Sequence, residues 1–197
     1  MIARLSRLVL PGALSAALAL APDSAPGQFA APGPARPQAD IAPGPTLATA
    51  SAATTDRIVA RIEAGRDFCA RIAQRAYAID CLAAQLEGVA RDMPGGDYRA
   101  AGQILTRAAR DLRRIAEANA DPALPRGRVR VADTISPRAL TPVRRDALDR
   151  LAAQAATILQ EAETALLRST EGSARRMVHY QRIAAAIGST KVLLRSA

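Results

Sequence analysis

The chain has 197 residues, of which 49% are apolar but only 3% aromatic, and its 26 arginines and one lysine give a formal net charge of +9. That apolar content is enough for a globular core. The single histidine, His179, excludes a haem site of the Cys-x-x-Cys-His type, a di-iron bundle with paired Glu-x-x-His motifs, and zinc sites built from histidine and cysteine.

The first residues have the layout of a secretory signal peptide. Arg4 and Arg7 precede an apolar stretch of 14 residues, 8–21, which is shorter than the ~20 residues that a membrane-spanning helix needs. Small residues for the signal peptidase follow, and we predict a signal peptide of residues 1–19 with cleavage after Ala19. An uncleaved membrane anchor is the alternative. Export predicts a periplasmic or secreted protein.

Residues 20–53 are predicted to form a disordered linker. They contain seven of the 13 prolines, together with many alanines and glycines. Each proline removes a backbone donor and fixes φ, so neither helix nor sheet can propagate, and few large apolar side chains are present to offset the entropy of ordering. A proline-rich recognition motif at Pro34-Ala35-Arg36-Pro37 is the alternative.

The remainder, residues 54–197, is predicted to be one all-α domain, an antiparallel bundle of about four helices. Apolar residues recur at three- and four-residue steps, which is typical of amphipathic helices. The predicted helices span about 55–92, 97–119, 142–170 and 173–195, with Met177 and Tyr180 among the inward positions of the last. If the chain does not break near Gly172, the last two helices would merge into one rod and the domain would be an elongated helical hairpin.

Cys69 and Cys81 are the only cysteines, and an even number in an exported chain favours a disulfide. Twelve residues of unbroken helix would separate their Cα atoms by ~18 Å, whereas a disulfide requires about 4.4–6.8 Å. Either the chain turns between them, or they are unpaired or join two molecules. We predict an intramolecular disulfide with a local break between Arg66 and Tyr77.

Other residue types offer no recognisable catalytic motif. Glu161 and Glu163 point to different faces of a helix, and Glu87 lies near Arg91, so no carboxylate pair is selected for acid–base chemistry. Gly95-Gly96 follows a proline and is predicted to be a turn between helices. His179 is predicted to be a solvated surface residue. We expect no catalytic residue, no metal site and no cofactor.

The positive charge concentrates between the second and third predicted helices, in a basic connection of residues 120–141 and the few residues after it. Elsewhere, arginines lie one helical turn from acids, as in Arg113 and Glu117, and such pairs contribute only tenths of a kcal/mol. Guanidinium groups bind phosphates and carboxylates through paired hydrogen bonds. The candidate anion-binding residues are Arg126, Arg128, Arg130, Arg144 and Arg145. A solvated loop without a ligand is the alternative.

These features predict an exported, non-enzymatic helical protein that acts by structural or adaptor contacts with an unidentified envelope protein. The alternative function is a polyanion-binding module that uses arginines of residues 126–145. Nucleic acid is disfavoured because the basic segment has no aromatic residues for base stacking and the chain is predicted to be exported. Homo-oligomerisation is left open.

Overall fold

In a computed structural model of the chain, the structure describes residues 48–170 and 172–195. The predicted signal peptide and the predicted linker up to residue 47 lie outside the described residues. Within these residues the predicted all-α class is confirmed, with five α-helices and one two-stranded hairpin. The elements are α1 (Ala52–Ala70), α2 (Ala78–Arg91), α3 (Arg99–Ala118), β1 (Arg130–Val131), β2 (Thr134–Ile135), α4 (Leu148–Arg168) and α5 (Ala174–Arg195).

The helices form an up-and-down bundle in which each helix packs against the next and α5 packs against α1. Successive helices run antiparallel, as the pairing of Arg61 in α1 with Asp92, just after α2, illustrates. With an odd number of helices the first and last run parallel. Accordingly, Asp56 near the start of α1 pairs with Arg182, and Arg66 near its end reaches Ser189.

The core follows the predicted three- and four-residue spacing. In α4 the buried residues recur at three- and four-residue steps; they are Leu151, Ala155, Leu159, Ala162 and Leu166. Small side chains let helices approach closely. At Gly65 of α1 the approach requires glycine, because a Cβ added there would lie 2.9 Å from Cβ of Gln85 on α2. One predicted inward residue was wrong, since Met177 is 42% exposed.

The first predicted helix, 55–92, is two helices. The chain leaves α1 after Ala70, passes through a single 3₁₀ turn at Arg75–Tyr77 and starts α2 at Ala78. This break lies within the segment where a disulfide required one. It brings the Cα atoms of Cys69 and Cys81 to 5.7 Å and their sulfur atoms to 1.96 Å, at disulfide distance.

Residues 48–53, which the linker prediction included, are part of the described structure, and α1 already begins at Ala52. Ser51 caps α1 by accepting a hydrogen bond from the Thr54 amide, and Ala50 is buried. The Ala48 carbonyl accepts a bond of 2.9 Å from the Asp97 amide in the α2–α3 turn. Gly96 has φ +65° there, and a Cβ would lie 2.3 Å from that carbonyl, so only glycine fits.

The last two predicted helices do not merge. α4 ends at Arg168 and α5 starts at Ala174, with Gly172 at φ +83° between them. α4 has its C-cap at Ser169, and the left-handed glycine three residues later lets the chain turn at low cost, so α4 and α5 do not form one rod. The third predicted helix also starts later than expected, at Leu148 instead of residue 142, after a 3₁₀ turn at Arg145–Ala147.

Candidate functional site

The predicted anion-binding arginines lie on a connection that is folded against the bundle. Residues 127–140 form an antiparallel arm whose tip is the β1–β2 hairpin, with Arg130 opposite Ile135 and Val131 opposite Thr134. A bridge between Gly127 and Leu140 closes its base. We refer to residues 127–140 as the arm.

Alternation along the first strand of the arm separates basic from apolar side chains. Arg126, which directly precedes the arm, Arg128 and Arg130 are exposed, whereas Val129 and Val131 pack against the core. Because successive side chains of an extended strand point to opposite faces, the three arginines form one row on the outer face. We refer to Arg126, Arg128 and Arg130 as the arginine row.

The arginine row is largely free to bind a ligand. Within the described residues, no ion pair or hydrogen bond engages the side chains of Arg128 or Arg130. Arg126 has only a long contact of 3.9 Å with Glu117, and both side chains are at least half exposed. An exposed pair of this kind contributes little.

The second strand of the arm carries the residue that attaches it to the bundle. The pairing of residue 127 with 140 and of 130 with 135 leaves two extra residues on this strand, which form a bulge within residues 137–139. From there, Arg138 donates two hydrogen bonds, of 2.6 and 2.7 Å, to the two carboxylate oxygens of Asp80. The Thr141 amide donates a third, of 2.7 Å.

Asp80 is fully buried in the first turn of α2. A buried carboxylate is costly unless it is paired and hydrogen-bonded, and here Arg138 and the Thr141 amide meet both conditions. The ion network continues from Arg138 to Glu87, at 3.6 Å, and from Glu87 to Arg113 of α3. The predicted pairing of Arg113 with Glu117 is therefore replaced by a contact between helices.

The pKa of Arg138 reflects this environment. Burial would lower the pKa of the guanidinium, but the hydrogen bonds and charge of Asp80, with a smaller contribution from Glu87, raise it above its ordinary value. Arg138 lies inside the basic connection but is held by acids, so it contributes to attaching the arm rather than to a surface charge.

The other two predicted arginines lie beyond the arm. Arg144 is exposed, and its amide bonds to the Asn119 carbonyl at the end of α3. Arg145 lines a concavity together with Arg75 of the turn between α1 and α2. Sequence reasoning missed Arg75, since nothing along the chain associates residue 75 with residue 145.

A second polar cluster lies at the opposite end of the bundle. The buried Thr55 hydroxyl lies 2.8 Å from the Tyr98 hydroxyl and 2.9 Å from Nδ1 of His179. The buried Tyr180 hydroxyl donates to the Asp97 carbonyl at 2.7 Å and accepts from the Ala101 amide at 3.3 Å. These bonds join the start of α1, the α2–α3 turn and α5.

This second cluster corrects the prediction for His179. The residue is half-buried and bonded to Thr55, so it is not a solvated surface residue. Burial raises the pKa of the Tyr180 phenol, which favours its neutral form. Thr55 and both tyrosines are fully buried, and this arrangement gives a reactant no access to the hydroxyls.

Within residues 48–170 and 172–195, no group of three or more metal-ligating side chains comes together. None of the helices described there is long and apolar enough to cross a membrane.

No protein-family model, no curated protein and no solved structure matches the chain.

Proposed function

We propose that this is an exported, non-enzymatic protein of the cell envelope that acts by contact, and that the arginine row is its contact surface for a polyanion. The observation that carries the proposal is the arrangement of Arg126, Arg128 and Arg130 on one exposed face of an arm whose other face is anchored to the core. A disulfide-distance cysteine pair and the signal-like N-terminus support export.

Anchoring makes the row suited to binding. Alternate residues of an extended strand lie about 6.6–7 Å apart, so the guanidinium groups are spaced along a line rather than collapsed onto one point. The Arg138–Asp80 contact holds the arm in place before any ligand arrives, which reduces the entropy that binding must offset. Phosphates and carboxylates of envelope lipids and acidic glycans supply complementary charge.

The test replaces Arg126, Arg128 and Arg130 with serine together. A basic residue near an anionic surface contributes about 1 kcal/mol, so the triple variant should lose about 3 kcal/mol, or roughly 150-fold in partitioning onto phosphatidylglycerol vesicles. It should also elute from immobilised heparin at lower salt. Both measurements require far-ultraviolet circular dichroism showing unchanged helicity.

The matched control removes the same charge elsewhere. Arg71, Arg110 and Arg175 are exposed, and no ion pair within the described residues involves them. Their joint replacement by serine should weaken retention by less than a tenth of the effect of the first variant. Equal losses in the two triple variants would contradict the proposal, because net charge alone would then explain binding.

The alternative is an adaptor that contacts one envelope protein. Crosslinking in cells and co-purification distinguish the two functions. Recovery of one stoichiometric protein partner, insensitive to salt and to the serine replacements in the arginine row, would favour the adaptor over polyanion binding.

A further inference from the structure

A two-lobed concavity lies at the end of the bundle where α2 and α4 begin. The wider lobe, of about 500 Å³, lies between the turn that follows α1 and the loop around Leu124. The narrower lobe, of about 140 Å³, lies between the starts of α2 and α4 and the end of α5. Both lobes share Arg75, Arg145 and Leu148. The wider lobe alone falls within the ~300–1,000 Å³ typical of small-molecule sites.

The narrow lobe is mainly apolar. Beyond the shared residues and Asp149, the residues lining it are Ala78, Ile79, Ala152 and Leu194. An aliphatic group placed there would bury apolar surface against three helices, and such burial is favourable in proportion to its area.

Arg75 and Arg145 line both lobes. Arg75 and Arg145 are exposed, and within the described part of the chain neither side chain has an ion pair or a hydrogen bond. Their backbones are nevertheless fixed, since each belongs to a 3₁₀ turn that leads into a helix. The Ala76 carbonyl in the first turn accepts a bond of 2.9 Å from the Val143 amide, which ties the first turn to the chain just before the second.

The helices that start here add positive potential. α2 and α4 both begin at this concavity without a side-chain cap, and each has one acid in its first turn, Asp80 in α2 and Asp149 in α4. The Asp80 charge is already paired with Arg138. Helix N-termini favour anions, and here two of them coincide with the arginine pair.

Acids at the rim limit the charge of a ligand. Asp121 and Asp149 also line the lobes, and Oδ1 of Asp121 accepts the Ala123 amide within its own loop. The two aspartates offset the charge of the two arginines, so only the modest potential of the helix N-termini remains, and a head group with a single negative charge fits better than a dianion.

We infer that this concavity binds a monocarboxylate with an aliphatic tail, with the carboxylate between Arg75 and Arg145 and the tail in the narrow lobe. The site is separate from the arginine row, and the inference does not depend on the proposed function.

Isothermal titration of the full, disulfide-intact chain with hexanoate, whose five-carbon tail matches the volume of the narrow lobe, tests the inference. Hexanoate should bind with one site per chain. Hexyltrimethylammonium, which has an alkyl tail and the opposite charge, should not bind, and hexyl phosphate should bind more weakly. Absence of hexanoate binding, equal binding of the ammonium compound, or tighter binding of the phosphate would overturn the inference.

Variants locate the site. Replacing Arg75 and Arg145 with glutamine should weaken hexanoate binding at least about tenfold, because charge-assisted bonds to the carboxylate are lost. Ala152→Leu should weaken it similarly by filling the narrow lobe from a half-buried position. Arg144→Gln, next to the site but outside both lobes, is the matched control and should change the affinity less than twofold.

The arm variant with serine at 126, 128 and 130 should bind hexanoate as the unmodified chain does, so this inference and the polyanion proposal can fail separately. Unchanged binding in the Arg75/Arg145 variant would overturn the site, provided that circular dichroism shows an intact fold.

Discussion

Asp80 shows how one side chain can organise a region of this protein. Its carboxylate is fully buried at the start of α2, and its partners, Arg138 and the Thr141 amide, come from the connection about 60 residues later. Removing one partner of a buried pair leaves an uncompensated charge, which costs more than the pair contributes when it is intact.

Arg138→Gln should therefore destabilise the fold by about 3–5 kcal/mol, measured by urea unfolding followed by circular dichroism. Arg61→Gln is the control, because the Arg61–Asp92 pair is about half exposed on both sides and such pairs contribute about 0–1 kcal/mol. Equal losses in the two variants would show that the Asp80 contact does not hold the arm.

We predict that the contribution of the Tyr180 hydroxyl to the unfolding free energy depends on pH. Tyr180→Phe removes one donated and one accepted hydrogen bond and should cost about 1–3 kcal/mol at pH 7. Because burial raises the folded pKa above the ordinary 10.0, the stabilisation is complete below pH 10 and is lost as pH rises through the folded value.

Urea unfolding at pH 7, 9 and 10.5 measures this effect. The difference in unfolding free energy between the unmodified chain and Tyr180→Phe should narrow at the highest pH. A difference that stays constant or widens there would contradict the raised pKa.

At the scale of elements, the sequence predicted the buried faces of the helices better than it predicted where the helices begin and end. The spacing of Leu151, Ala155 and Leu159 identifies the inner face of α4 because burial repeats with the helical period. The start of α4 was misplaced, since Thr141-Pro142 resembles a helix start but is instead buried in the connection. Tertiary hydrogen bonds to Asp80 and Ala76 outweigh that local preference.

The arm was not predicted as a hairpin. Its strands have only two residues each, which is too short for a clear periodic signal. A weak signal was present in Arg128-Val129-Arg130-Val131, where basic and apolar residues alternate. The two-residue turn, Ala132-Asp133, lacks the glycine that usually marks such a hairpin.

Ala132 has φ +48°, a left-handed conformation that disfavours residues with a Cβ. Ala132→Gly should therefore stabilise the protein by about 0.5–1 kcal/mol, measured as a shift in the urea midpoint. Ala139→Gly, at an exposed position of the same arm without a positive φ, is the control and should destabilise slightly. If both changes destabilise, the turn is not strained at Ala132.

At the scale of the whole molecule, the sequence predicted the chain break after α1 but not the long-range contacts that form around it. An intramolecular disulfide between the two cysteines required a break between them, because an unbroken helix places them too far apart. The number of helices, the Asp80 contact and the position of Arg75 beside Arg145 depend on how the connection folds back over that break. Residues distant in sequence meet there, and no local pattern encodes the meeting.

Both the disulfide and the contacts of the connection fix the turn between α1 and α2. Removing the disulfide therefore measures how much of the stability of the fold the contacts of the connection provide by themselves. In the chain-entropy model, a loop of this length stabilises by about 3 kcal/mol, and Cys69→Ala with Cys81→Ala should lower the unfolding free energy by about that amount while helicity at low urea stays unchanged. Urea unfolding of the oxidised chain and the double variant measures the loss, with the reduced chain as a control that keeps both side chains. Two free thiols in the monomer by non-reducing mass spectrometry, or no stability difference between oxidised and reduced chains, would contradict an intramolecular disulfide.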